Sequence, residues 1–328
     1  HISLKSIIIR LQNTPINMEP SENPYKDTEA VAESLAAMIK KELTIYSNHD
    51  GYLNPPEADP TMITPQDRMA LVDWCYEVVD HCQFSRQTVA SAMEMVDRFL
   101  SMPSNSVDAA RESDEALRDQ SKFQLLTIAA LYSSIKVHER VALSSDLFAE
   151  ICSRTYTAEE IEDMERILLS GLSWRCHSPT AHQIGLLILS LLLPYVDIPE
   201  VTWGFLIDEM KYLTELAVRE YYFSTQRTST IAVAAIFNAI SVTSTKECED
   251  ILTDFLRVIM ESFEFDHSKH IAAARTRLRC LAMRDVLLQE DDVDERSLDE
   301  SEKTFKVSSS FSQEQERGLQ PGSRSFLV

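Results

Sequence analysis

Apolar residues recur at three- and four-residue steps along most of the chain, the period of helices with one buried face. From about Asp27 to Tyr46, Val31, Leu35, Met38 and Ile39 fall on one such face. Asn48 to Pro65, with Gly51 and four prolines, reads as a connector. Thr64 and Pro65 then signal a helix start. That helix runs to about Cys82 on an apolar face of Met69, Val72, Tyr76 and Val79, broadened by Leu71 and Cys75. Ser85 can cap the next helix, which carries Val89, Met93, Val96 and Leu100. Met102 to Arg118 is polar, rich in Ser and acids, and reads as a loop. Leu117 to His138 follows, apolar nearly all round between Leu125 and Tyr132, as expected of the buried central helix of a bundle. Ser144 to Ser153 and Thr157 to Leu172 complete the set.

The pattern then repeats. Helices are expected from Pro179 to about Leu193, Pro199 to Phe223, Thr228 to Val242, Lys246 to Phe263 and His267 to Leu288. The third helix of each set is apolar nearly all round, which points to an internal duplication. The fold expected is all-α: an N-terminal helix and two successive five-helix units. The divisions are a flexible leader at 1–24, the first helix and linker at 25–65, the two units at 66–176 and 177–288, and a tail at 289–328. Acids dominate Glu290 to Glu302 and Ser308 to Phe311 is Ser-rich, so the tail is expected to stay disordered.

Composition narrows the function. A net charge of −21 over 328 residues disfavours nucleic acid and anionic membranes, which need clustered Lys and Arg, and suits a basic or mixed-charge protein partner. With 6 glycines, phosphate-cradling loops and turn-rich β folds are poorly served. The six cysteines form no C-x-x-C pair and read as core residues in a reducing, intracellular setting. The longest apolar run, Ile184 to Val196, is broken by Ser190 and Pro194 and falls short of the ~20 residues a membrane span needs.

Several short strings follow one another in order. They are Arg68-Met69-Ala70-Leu71-Val72-Asp73-Trp74, Asp97-Arg98-Phe99-Leu100-Ser101, Ser134-Ile135-Lys136-Val137-His138-Glu139, Met164-Glu165-Arg166-Ile167-Leu168, and Leu172-Ser173-Trp174 before Ser178-Pro179-Thr180. In this order and at these spacings they resemble a cyclin box. The resemblance covers roughly residues 25 to 288. It is looser in the second unit, where Arg227-Thr228-Ser229-Thr230-Ile231-Ala232 stands where the family usually has Pro-Ser before Ile-Ala.

The resemblance implies a regulatory subunit of a cyclin-dependent serine/threonine kinase, with no catalysis, cofactor or metal of its own, and a nuclear or cytoplasmic location. It places Lys136 and Glu165 at the kinase contact, with Glu139, Val137, Phe148, Ile151, Leu169 and Trp174 around them. For the apolar members, core burial is an equal alternative, because core and interface share a composition. For Lys136 and Glu165 the alternative is a local surface pair worth about 0–1 kcal/mol. Arg68 and Asp97 are expected to pair as a structural brace, since a stranded buried charge costs several kcal/mol. The resemblance also implies a substrate-docking patch at Leu71, Trp74, Glu77 and Gln124. Asp67 and Ala70 depart from it, removing about 2–4 kcal/mol of potential burial.

Two other readings compete. A cyclin-fold scaffold or transcription-regulatory protein would bind no kinase, and the Lys136 and Glu165 combination weighs against it. An all-helical Mg²⁺-dependent prenyl-diphosphate enzyme would use a run such as Asp291-Asp292-Val293-Asp294-Glu295, but no second Asp-rich helix faces it. His267 and His270 lack a third metal ligand and read as a surface pair.

Overall fold

The computed structural model describes residues 28–46, 51–53, 62–101, 106–141, 143–192, 199–243, 246–263, 265 and 268–287. The expected leader and acidic tail lie outside these residues. So do His267 and the run from Asp291 to Glu295.

All regular structure among the described residues is helical. Helix α1 spans Thr28–Thr44. The first unit comprises α2 (Pro65–His81), α3 (Gln87–Ser101), α4 (Val107–Ala116), α5 (Gln120–His138), α6 (Ser145–Ile151) and α7 (Ala158–Gly171). The second comprises α8 (Ala181–Leu192), α9 (Glu200–Arg219), a 3₁₀ turn (Tyr221–Thr225), α10 (Thr228–Thr243), α11 (Lys246–Ser262) and α12 (268–287).

The starts follow local chemistry. In α2, Thr64 accepts from the Asp67 backbone N–H while the Asp67 carboxylate accepts from the Thr64 N–H, with Pro65 in the first turn. Thr157 and Glu160 repeat this capping box at α7. The backbone and side-chain hydrogen bonds from Thr157 hold the Glu160 carboxyl below its ordinary pKa.

Helix α5 is buried continuously from Leu125 to Ile135 and forms the centre of the first unit, packed against α3 and α7. Helix α10 plays the same part in the second, between α8 and α9. The duplicated arrangement is as expected, with one correction. Met102 to Arg118 is not all loop, because α4 forms inside it. Its buried face is only Ala109, Glu112 and Ala116, too narrow and too polar to register as an apolar stripe. Glu112 is held by Lys122 Nζ at 3.0 Å, and Ser106 caps the helix start. Gly171, at the end of α7, makes this packing possible. A Cβ there would lie 2.7 Å from Phe99 Cε2 and 2.9 Å from Ala109 Cβ.

Arg68 is 2% exposed and meets Asp97 through two bonds: Nε to Oδ1 at 2.8 Å and Nη2 to Oδ2 at 2.6 Å. Its Nη1 donates to the Val218 carbonyl of α9 at 2.7 Å, and Tyr52 Oη donates to Asp97 Oδ1 at 2.7 Å. Connector, α2, α3 and α9 therefore meet at one ion pair. Around it, Arg219 pairs with Asp73 at 2.6 Å and Arg86 with Glu215 at 2.7 Å, fixing the second unit on the first.

Helix α1 buries Ala32, Leu35, Ile39 and Glu42, a face rotated slightly from the expected one; Val31 and Met38 are only half-buried. The buried Glu42 carboxylate accepts from the Ser229 N–H at 2.7 Å, from Ser229 Oγ at 2.6 Å and from Arg227 at 3.1 Å. An acid thus sits at the positive N-terminus of α10.

Asp97→Ala strands the buried Arg68 charge and is expected to lower stability by about 3–5 kcal/mol. The apolar double variant Arg68→Met/Asp97→Leu is expected to be more stable than Asp97→Ala alone. Urea unfolding of the three proteins measures this.

Candidate functional site

The α5 C-terminus, α6 and α7 bring most of the expected contact residues to one region. Helix α5 is apolar up to Ile135, then turns polar at Lys136 as it reaches the surface. Lys136 Nζ donates to both Glu165 oxygens of α7 at 2.9 Å. The pair is lopsided: the Lys136 side chain is 43% exposed and that of Glu165 only 10%.

Two further groups hold this geometry. Ser133 Oγ, one turn before Lys136, donates to Glu165 Oε1 at 2.8 Å. Lys136 Nζ also lies 4.7 Å from the centre of the Tyr132 ring, within cation–π range. Burial raises the Tyr132 pKa, with Lys136 pulling it back down. The ammonium is thus fixed from below by an acid and an aromatic face, while its outer side stays wet. Neither Ser133 nor Tyr132 was picked out in the sequence, although each lies three or four residues from Lys136, the spacing of one helix face.

Val137 is 37% exposed and Trp174 is 71% exposed; Ile151 and Leu169 are half-buried. Ser173 and Trp174 have φ of 52° and 59°, in the left-handed region that non-glycine residues avoid. The Trp174 N–H donates to the Leu169 carbonyl at 2.8 Å, closing α7 with a large aromatic turned to solvent. Near the end of α5, burial and the neighbouring His177 keep the His138 pKa below its ordinary value.

Two expected members do not face outward. Phe148 is fully buried, stacked on Tyr132 with centroids 5.2 Å apart, because the short α6 turns Phe148 and Ala149 inward. Its outward apolar residue is Leu147, 45% exposed, one turn before Ile151. Glu139 is half-buried and accepts from the Ser85 N–H and from Thr88 Oγ1, so its carboxylate braces the start of α3.

The expected docking patch is only partly formed. Leu71 and Trp74 are half-buried, one turn apart on α2, and Glu77 is exposed. Gln124 accepts from Tyr156 Oη at 3.1 Å. Asp67 is bound to Thr64 and, at 2.9 Å, to Gln120 Nε2, where an apolar wall was implied. Among the described residues, no group of His, Cys, Asp and Glu is placed to hold a metal ion, and no helix is long and apolar enough to cross a membrane.

The family described as "Cyclin, N-terminal domain" matches residues 33–177, a stretch that includes Lys136 and Glu165. Cyclin-A2-1 of Oryza sativa subsp. japonica is 26% identical over 217 residues, 66% of this chain and 40% of that protein. G2/mitotic-specific cyclin-B of Arbacia punctulata is 26% identical over 237 residues, 72% of this chain and 51% of that protein. Residues 33–177 are a cyclin N-terminal domain. The chain spans about half the length of the cyclins it matches. Among solved structures, it resembles a viral cyclin from Herpesvirus saimiri, with a TM-score of 0.48 and 12% identity over 73% of this chain and 97% of that one. It also resembles a chain in the CAK complex of Chaetomium thermophilum bound to ATP-gamma-S, with a TM-score of 0.45 and 18% identity over 84% of this chain and 80% of that one. The family match takes in most of α1 and all of α2 to α7, so every residue of the lysine–glutamate site is part of the cyclin N-terminal domain.

Lys136→Met is expected to lower the stability of the chain by about 1 kcal/mol or less, because the pair is half in water. Thermal unfolding of the purified chain reads this directly.

Proposed function

We propose that this chain acts as a cyclin: it binds a cyclin-dependent serine/threonine protein kinase through α5, α6 and α7 and activates it, as a regulator of the cell cycle. The observation that carries the reading is the paired Lys136 and Glu165 among apolar groups that remain uncovered. An exposed tryptophan at the end of the helix that carries Glu165 suits an interface, where aromatic anchors carry much of the binding energy.

Activation would work at a distance from this protein. A kinase needs its own Lys–Glu ion pair assembled before it can transfer phosphate, and the position of its regulatory helix governs that pair. A rigid surface with fixed charges can hold such a helix in place. The chemistry then belongs to the partner, and this chain's role is regulatory. In this reading the interface belongs to residues 66–176. The half-formed patch on α2 would accept substrates other than those of a fully apolar groove, since Asp67 is polar and already bonded.

The test is recovery of kinase from a cell extract by the wild type and by Lys136→Ala/Glu165→Ala, with a histone phosphorylation assay on each. The wild type is expected to bring down activity and the double variant to lose most of it while its far-UV circular dichroism is unchanged. Equal recovery by both would refute the interface. A folded wild type that recovers no kinase would favour the scaffold reading instead.

Trp174→Ala separates binding from folding. The side chain is 71% exposed, so its loss is expected to shift stability by no more than about 0.5 kcal/mol. Its loss from an interface is expected to weaken kinase binding by about 2 kcal/mol, roughly thirtyfold. Titration of the variant against the isolated kinase checks the second figure.

A further inference from the structure

The two helical units are separated on one side by a partly open cleft of about 110 Å³, several times the ~10–15 Å³ one water molecule requires. Its walls come from α2, α3, α8, α9 and the start of α10. Apolar side chains, among them Met93, Pro179, Phe223 and Ile231, line part of it. Glu94 of α3, His182 of α8 and Glu215 of α9 line the rest together with amides and hydroxyls.

These three polar residues share an unusual feature. Glu94 Oε2, Glu215 Oε1 and His182 Nδ1 are each buried without a hydrogen-bond partner. Each residue contributes to the cleft wall, and each comes from a different helix. The opposite carboxylate oxygens face cations: Glu215 Oε2 accepts from Arg86, and Glu94 Oε1 lies 3.4 Å from Arg98 Nη1, an ion pair without a hydrogen bond. Buried polar atoms nearly always find partners, so unmet acceptors from several elements of one cavity call for donors from outside the chain. The last torsion of a glutamate is soft, so a free oxygen can turn toward an incoming donor.

We propose that this cleft binds an arginine side chain presented by a partner peptide. A guanidinium carries five donors and no acceptor, the complement of carboxylates short of donors. The aliphatic stem of arginine would lie along the apolar wall. The chain's net charge of −21 favours the approach of a basic segment over an acidic one. The cleft residues are separate from Lys136, Glu165 and Trp174, and the site stands whether or not a kinase binds.

The charged and titratable groups around the cleft predict how binding varies with pH. Arg68 and Tyr76 come from α2, Asp97 and Arg98 from α3, with Arg86 and Lys211 acting on Glu215 and His182. Arg68 and Asp97 are already paired. Burial raises the Glu94 pKa to about 7, against the pull of Arg98 and Ser178. Burial, then Lys211, lowers that of His182. As pH rises toward 8, Glu94 gains its negative charge and His182 stays neutral, so a cation should bind more tightly. An anion should show the reverse.

The experiment uses the full chain and a fluorescein-labelled Gly-Ser-Arg-Ser-Gly peptide, followed by fluorescence anisotropy. Controls carry alanine or phosphoserine in place of arginine. Saturable binding is expected for the arginine peptide alone, severalfold tighter at about pH 8 than at about pH 6. Glu94→Gln/Glu215→Gln is expected to weaken it about tenfold or more. Hydrogen exchange on the wild type with bound peptide needs no variant, and should show protection at 87–94, 178–182 and 214–218. No saturation by about 5 mM peptide would overturn the proposal and leave the cleft to water alone. Equal binding of the alanine peptide, tighter binding of the phosphoserine peptide, or protection confined to other segments would also overturn it.

Discussion

The Arg68–Asp97 pair is the constraint on which the other contacts rest. Both ions are almost without solvent, so each must be satisfied where it stands. Burial by itself would lower the Arg68 pKa, but the neighbouring Asp97 carboxylate more than offsets it and keeps the guanidinium charged. The arginine donates from its third nitrogen, Nη1, to the Val218 carbonyl near the end of α9, and the aspartate accepts a third bond from Tyr52. An arginine at that position also suits the negative end of α9. One bidentate pair thereby sets the crossing of α2 and α3 and the docking of the second unit. The position of α3 then decides where α5 lies, and α5 carries Lys136.

The lysine–glutamate site uses burial differently. Glu165 is the buried partner and has a neutral donor in Ser133, so it stays partly satisfied whatever Lys136 does. Lys136 is the exposed partner, and its three donors exceed what one carboxylate can absorb. Such a pair contributes little to folding but presents a cation in a fixed place. On α5, α6 and the turn after α7, Val137, Leu147 and Trp174 leave apolar area in water.

Much of this architecture was legible because helical periodicity is a strong signal over long segments. The central helices α5 and α10 stood out because they are apolar on every side, and the order of the cyclin strings located Arg68, Asp97, Lys136 and Glu165. What remained hidden has physical reasons. Helix α4 buries two alanines and a glutamate, a face with almost no hydrophobic contrast. Phe148 and Leu147 are adjacent, and only the rotation of a seven-residue helix decides which one faces out. Glu42 falls in register with Leu35 and Ile39, yet a buried acid is legible only once the N-terminus of α10 is seen above it. The cleft between the units is the extreme case, since Glu94, His182 and Glu215 are far apart in sequence and no spacing connects them.

The N-terminal helix joins these themes. Through Glu42 it caps α10, the centre of the second unit, and through Tyr46 it stacks on Arg98 of α3, with Arg98 Cζ 4.7 Å from the ring centre. Arg98 is 4% exposed, donates to the Arg175 carbonyl and lies beside Glu94. The Arg175 carbonyl is next to Trp174, the most exposed aromatic of the candidate interface. A single buried arginine therefore touches the end of α1, the wall of the cleft and the turn that carries Trp174. Two adjacent charged residues of α3, Asp97 and Arg98, point to different neighbours and divide the work: the first fixes how the units sit together, and the second ties the N-terminal helix to the segment that must be held rigid if it is to meet a partner. That is why so many ionisable side chains are buried in a protein whose proposed task requires no chemistry of its own.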